Sequence, residues 1–159
     1  MFNCKIWDQI QKLSVLDGTY YHYIKLSKDA LTQKFLPDYF EIISKRYVLM
    51  RDLFEKENLF SGEAREILCN MHIKHVLAGM VRNFNTKSNY TAAQRKAKIK
   101  EMLDDANCRQ AMQYAVGKRK QEKVCNFIFK TRSVFLNYLF AKLIFKMQNS
   151  KSKLFDKLK

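Results

Sequence analysis

From Pro37 onward the apolar residues recur at helical spacing. Phe40, Ile43, Tyr47, Met50 and Phe54 form one stripe, and Pro37 suits the first turn of the helix that carries it. Ser61 fits the N-cap of a second helix bearing Ile67, Leu68, Met71, Leu77, Met80, Val81 and Phe84. Thr91-Ala-Ala-Gln94 has the capping-box pattern, so the sequon Asn89-Tyr90-Thr91 reads as the start of a third helix with Ile99, Met102 and Leu103 inward. A short helix through Ala111 and Tyr114 is expected to end near Gly117, placed as its C′ residue.

The stretch from about Lys118 to Gln148 has no internal glycine or proline. Its apolar residues, from Val124, Phe127 and Phe129 to Leu143, Ile144 and Phe145, fall on every side of a helical wheel. Lys130, Arg132, Lys142 and Lys146 are scattered among them. Such a segment is too apolar for a free surface helix and too charged to span a bilayer. It is expected either to be half buried in its own bundle or to lie in a lipid interface with its lysine stems snorkelling, and the two are compatible.

Residues before Pro37 follow another pattern. Ile6, Trp7 and Ile10 suggest a short helix, and Leu13 to Leu16 a short strand. Asp17-Gly18 is a turn signal, and Thr19-Tyr20-Tyr21-His22-Tyr23-Ile24 reads as a second strand. A hairpin this small needs a larger sheet to join. The expected organisation is therefore an edge of a larger α/β domain at 1–36, a helical domain at 37–148 and a basic, frayed tail at 149–159. The fold class is mainly α, a bundle of four to five helices preceded by a hairpin-like segment.

Composition supports one domain with a real core: 159 residues, 47% hydrophobic and 13% aromatic, with only four glycines and one proline against a turn-rich all-β fold. Charge changes the picture more. The net +15 is uneven, because residues 1–85 carry 12 Lys/Arg against 10 Asp/Glu and residues 86–159 carry 18 against 5. The excess of +13 in the second half lies among aromatics, which points to an anionic membrane surface or a nucleic acid. The opening MFNCKIWDQIQ lacks the build of a signal peptide, so reduced thiols and a cytoplasmic location, peripheral at the inner face of the plasma membrane, are expected.

Candidate chemistry is sparse. Cys4, Cys69, Cys108 and Cys125 are spaced by 65, 39 and 17 residues, without a CxxC pair. Cys69, His72 and His75 stand at i, i+3 and i+6, so the outer two diverge by about 120° and read as helix packing residues rather than zinc ligands. Asp104-Asp105 is an adjacent acidic pair near a helix end and reads as loop solvation. A Gly-rich phosphate loop, a Ser-His-Asp ordering and a DxD pair are all missing. No catalytic residue and no metal ligand is assigned.

Tyr20-Tyr21-His22-Tyr23 followed by Lys28-Asp29-Ala30-Leu31-Thr32 resembles the end of the catalytic domain in family 2 glycosyltransferases of bacterial polysaccharide synthesis. The run from Ala93 to Ala111 is similar to a later helical segment of those enzymes, and Lys118-Arg-Lys-Gln-Glu-Lys-Val with Phe135-Leu-Asn-Tyr-Leu resembles their closing basic, hydrophobic helix. The similarity covers essentially the whole chain. Ile24 and Ala30 depart from it, standing where the family commonly has Arg and Ser.

The resemblance implies that Met1-Phe2-Asn3 follow directly on the family's catalytic "ED" pair. The nucleotide sugar and divalent metal would then belong to an N-terminal catalytic domain, the partner this chain lacks. Tyr21, Tyr23 and Lys25 would be the residual edge of the donor or acceptor site. The chain would serve packing and membrane placement, with Lys118, Arg119, Lys120, Lys123, Lys130, Arg132, Lys142 and Lys146 meeting anionic headgroups and Phe135, Phe140 and Phe145 as apolar anchors. The alternatives are a small basic helical protein that binds nucleic acid, and a helical interaction module whose last helix docks on a partner protein.

Overall fold

The computed structural model describes residues 36–157, together with Ile10, Lys12 and Ser14. Among these residues there are six α-helices and no strand: α1 (Tyr39–Lys56), α2 (Gly62–Arg82), α3 (Ala92–Asp104), α4 (Ala106–Tyr114), α5 (Lys120–Lys130) and α6 (Val134–Lys157). A 3₁₀ turn, Thr86–Ser88, joins α2 to α3. The expected hairpin at residues 13–24 and the site-edge residues Tyr21, Tyr23 and Lys25 lie outside the described residues.

Helix α2 is the centre, in contact with α1, α3, α4 and α6. It buries Leu68, Cys69, His72, Ile73, Val76, Gly79, Met80 and Val81, a broad face that widens further at Val81. Ile67 is exposed. It lies two turns from exposed Lys74, on the strip of α2 that the neighbouring helices leave open. At Gly79 an added Cβ would stand 3.3 Å from the Tyr39 ring, so the missing side chain lets the start of α1 close onto α2. The α1 stripe is as expected, with Ile43 and Tyr47 buried and Phe40, Met50 and Phe54 packed around them. Pro37 precedes the N-cap Asp38 and so stands just outside the helix rather than in its first turn.

The capping box of α3 is formed. Thr91 Oγ1 accepts from the Gln94 N–H at 3.2 Å, and Gln94 Oε1 accepts from the Thr91 N–H at 2.8 Å. Ile99, Met102 and Leu103 are buried as expected. The acidic pair does more than solvate a loop. Asp105 ends α3 and caps α4, its carboxylate accepting from the Cys108 N–H at 2.8 Å. Asp104 pairs with Lys100 at 2.7 Å and with Arg132 at 3.1 Å. Gly117 is not a left-handed cap either. A Cβ there would come within 2.5 Å of the Lys123 backbone nitrogen, so glycine is required where the chain passes the first turn of α5.

The 118–148 stretch is two helices, not one, and α6 continues to Lys157, past the tail expected from Asn149. The break needs neither glycine nor proline. Arg132 takes a left-handed φ of 52°, Thr131 Oγ1 donates to the Ile128 carbonyl at 2.6 Å, and Ser133 Oγ accepts from the Leu136 N–H at 3.3 Å. Buried Asn137 then fastens the two helices, its Nδ2 donating to the Ile128 carbonyl at 3.2 Å and the Ser133 carbonyl at 2.9 Å.

Replacing Asn137 by Ala removes both donations and leaves the Ile128 carbonyl without its link to α6, at a cost of about 2 kcal/mol in urea unfolding. Thr91→Ala, which opens only the capping box, costs about 1 kcal/mol. A reversed order of the two variants would show that Asn137 does not fasten α5 to α6.

Candidate functional site

Helix α6 carries two apolar faces. Its inner face is narrow, with Asn137 and Ala141 fully buried and Val134, Tyr138, Ile144 and Phe145 packed beside them. At about 100° per residue, Leu136, Leu139, Leu143 and Met147 fall within about 80° of one another on the opposite side. All four are exposed. Phe135, 58% exposed, and exposed Lys142 and Lys146 flank that row. This is why the apolar residues cover the whole wheel: the inside serves the core and the outside is left uncovered.

Helix α5 repeats the arrangement on a smaller scale. Cys125 and Phe129 are buried, whereas Val124 and Phe127 face out between exposed Lys120, Lys123 and Lys130. Phe127 is 71% exposed, a large apolar ring in water that a folded chain does not present without consequence. No described helix is long and apolar enough to cross a membrane.

The expected membrane-contact residues divide under this geometry. Lys120, Lys123, Phe135, Lys142 and Lys146 stand on the outer faces. Phe140 and Phe145 pack against the core, with the Phe145 ring 6.2 Å from Phe84. Lys118 binds Glu63 at 2.6 Å. The backbone N–H groups of Lys118 and Arg119 donate to Glu122, which also pairs with Lys74 at 2.9 Å, and these contacts hold the Glu122 carboxyl down at about 2. Lys130 and Arg132 line a cleft with Arg109, Met112 and Gln113. The exposed apolar residues that residue type alone did not disclose are Leu136, Leu139, Leu143 and Met147. Their spacing of three, four and four residues is the only trace of them in the sequence.

Cys69, His72 and His75 do not converge. Cys69 and His72 face α1, where His72 stacks on Tyr47 with ring centroids 4.2 Å apart and the Tyr47 hydroxyl meets Cys69 Sγ at 3.6 Å. His75 lies 3.5 Å from the Tyr39 hydroxyl through Nδ1. Among the described residues no group of three or more His, Cys, Asp or Glu is placed to hold a metal ion. Asp104 and Asp105 are committed to ion pairs and a cap, so the described residues do not fit the divalent metal that the family resemblance implies. Among the described residues burial pushes the thiols up, Cys108 to about 12, Cys125 to about 11 and Cys69 in the same direction, which keeps these three protonated near neutral pH.

His72 is 2% exposed, and its Nε2 has no hydrogen-bond partner. Burial, with the charges of His75 and Arg46 adding to it, pushes its pKa down to about 4. No protein-family model, curated protein or solved structure matches this chain.

The depressed His72 gives a signed pH dependence. The unfolded chain takes up the proton near pH 6.5 and the folded one near 4, so stability is complete above 6.5 and is lost as pH falls between those values. At ~1.4 kcal/mol per pH unit the loss approaches about 3 kcal/mol by pH 4. In urea unfolding the wild type should lose stability as pH is lowered through that window, by about 3 kcal/mol more than His72→Phe, which keeps a ring against Tyr47 but has no proton to take up. Parallel curves would show that His72 does not carry the effect.

Proposed function

We propose that this chain is the helical C-terminal part of a family 2 glycosyltransferase of bacterial polysaccharide synthesis, and that it seats the enzyme on the anionic inner face of the membrane. The observation that carries the seat is the exposed row Leu136, Leu139, Leu143 and Met147 on α6, flanked by Lys142 and Lys146 in the half of the chain that bears +13. The family reading is supported by the motifs around Tyr20–Thr32, Ala93–Ala111 and Lys118–Val124, of which the latter two fall on α3, α4 and the start of α5.

Two terms combine in such a seat. Each Lys or Arg near an anionic surface contributes about 1 kcal/mol, fading within a Debye length. Each leucine taken from water into the acyl boundary adds about 1.5–3 kcal/mol, with the lysine stems lying along the interface and their ammonium groups at the phosphates. The chain's part is then packing and placement: holding a catalytic domain where a lipid-borne acceptor is presented. Bond making belongs to that domain.

The apolar row is also what weighs against nucleic acid as the partner. Phosphate backbones are met by cations and base faces by aromatic rings, and an aliphatic leucine row serves neither.

Co-sedimentation with vesicles tests the seat. The chain should pellet with anionic and not with neutral vesicles, keep part of that binding at raised salt, and ignore a nucleic-acid competitor. Leu139→Ser with Leu143→Ser, both at exposed positions, should weaken binding at least ~10-fold while leaving the helical circular dichroism intact. Absence of anionic-vesicle binding, or displacement by nucleic acid, would overturn the proposal.

A further inference from the structure

Where α4 meets the α5–α6 turn, Arg109, Met112, Gln113, Lys130 and Arg132 line a cleft of about 300 Å³ that is open to solvent. This is at the lower end of the size of small-molecule sites. Its floor is the buried Met112, and its rim carries three cations and one amide. The carboxylates beside it are already in use. Asp105 caps α4, and Asp104 holds Arg132 at 3.1 Å while sharing itself with Lys100. Among the described residues, Arg109 and Lys130 have no acidic partner. Arg109 and Lys130 thus stand at one opening without an internal counter-charge, beside Arg132, whose charge Asp104 partly answers, whereas Lys118 and Lys74, elsewhere on the surface, each have an acidic partner.

We propose that this cleft is a binding site for a phosphomonoester. A monoester carries a charge of about −1.5 to −2 near neutral pH, which answers three cations better than the single charge of a diester. Arg109 and Arg132 offer forked donors, Lys130 a point charge and Gln113 a neutral N–H donor. The Asp104 bridge orients the Arg132 side chain, whose backbone is already set by the left-handed turn. Arg132 lies three residues before Phe135 and four before Leu136, so the cleft stands at the beginning of the α6 apolar row. A phosphate bound there could be free in solution or could be the headgroup of a lipid whose chain follows that row. Only the lipid source rests on the membrane seat proposed above.

Two titrations on the full chain separate these cases. The first follows backbone amide shifts with inorganic phosphate at constant ionic strength, with chloride as the control. The second compares vesicles of phosphatidic acid with vesicles of phosphatidylglycerol, matched in surface charge.

Saturable shifts at Arg109, Gln113 and Arg132 are expected. Arg109→Gln with Lys130→Gln should weaken phosphate binding ~10-fold or more, whereas Lys120→Gln with Lys123→Gln, an equal loss of charge on the outer face of α5, should leave it nearly unchanged. A phosphatidic-acid preference lost in the same cleft variant assigns the lipid headgroup as the source. Saturable phosphate binding without that preference assigns a soluble phosphomonoester and supports the site equally. Leu139→Ser with Leu143→Ser should weaken vesicle binding at least ~10-fold without moving the phosphate titration, so the seat can fail while the cleft stands. Non-saturating shifts, or equal losses in the cleft and α5 variants, would overturn the proposal.

Discussion

The structure depends on how completely α2 is enclosed. Leu68, Cys69, Ile73, Val76 and Met80 are removed from water along one broad face of the helix, and each large side chain so buried contributes about 1.5–3 kcal/mol. Enclosure on that scale sets limits on what the helix can carry. Gly79 has to be small because Tyr39 closes against it, and Cys69 and Val76 fill positions where α1 and the other neighbours leave little room. It also traps a polar ring. His72 is held by stacking on Tyr47 while Nε2 goes without a partner, a cost that the surrounding burial has to exceed.

That arrangement decides what is left outside. Because α2 is shared among α1, α3, α4 and α6, each of them presents only one narrow face to it. For α6 the inner face is built on Asn137 and Ala141, a polar and a small residue that admit close approach without using up the helix's leucines. Leu136, Leu139, Leu143 and Met147 are therefore surplus to the core. Their exposure goes with a packing in which the helix is fastened from its other side, by Asn137 to the Ile128 and Ser133 carbonyls.

Much of this was legible in the sequence. The α1 stripe, the inward trio Ile99, Met102 and Leu103 and the Thr91–Gln94 box rest on local spacing and capping chemistry, which do not need the rest of the chain. What escaped depended on neighbours. Ile67 is exposed because of where the other helices stop, and Gly117 is required by the passage of α5, not by its own φ. The break at Thr131–Ser133 was hidden because a left-handed arginine held by two hydroxyls gives no glycine or proline signal, although Ser133 is an ordinary N-cap residue. Once one helix became two, residues that had covered a whole wheel separated into inner and outer faces. Of the three aromatics singled out, Phe135 faces out, Phe140 and Phe145 pack against the core, and the outer row is mainly leucine.

The outer row and the basic charge become intelligible when taken together. Cations alone hold a protein to an anionic bilayer through a term that reaches only ~8 Å at physiological salt. Four aliphatic side chains alone would bind neutral and anionic surfaces alike and would expose the free chain to self-association. In the proposed seat, Lys142 and Lys146 beside the leucines would let each term correct the other: repulsion between copies would keep the free chain dispersed, and an anionic surface would turn that charge into attraction as the apolar row is covered. Acidic residues do not offset this in α6, where Asp156 stands alone near the far end of the helix, while ten of the 24 positions from Val134 to Lys157 fall to Leu, Ile, Phe and Val. In the proposed seat the charge selects the surface and the leucines set how long the chain remains on it.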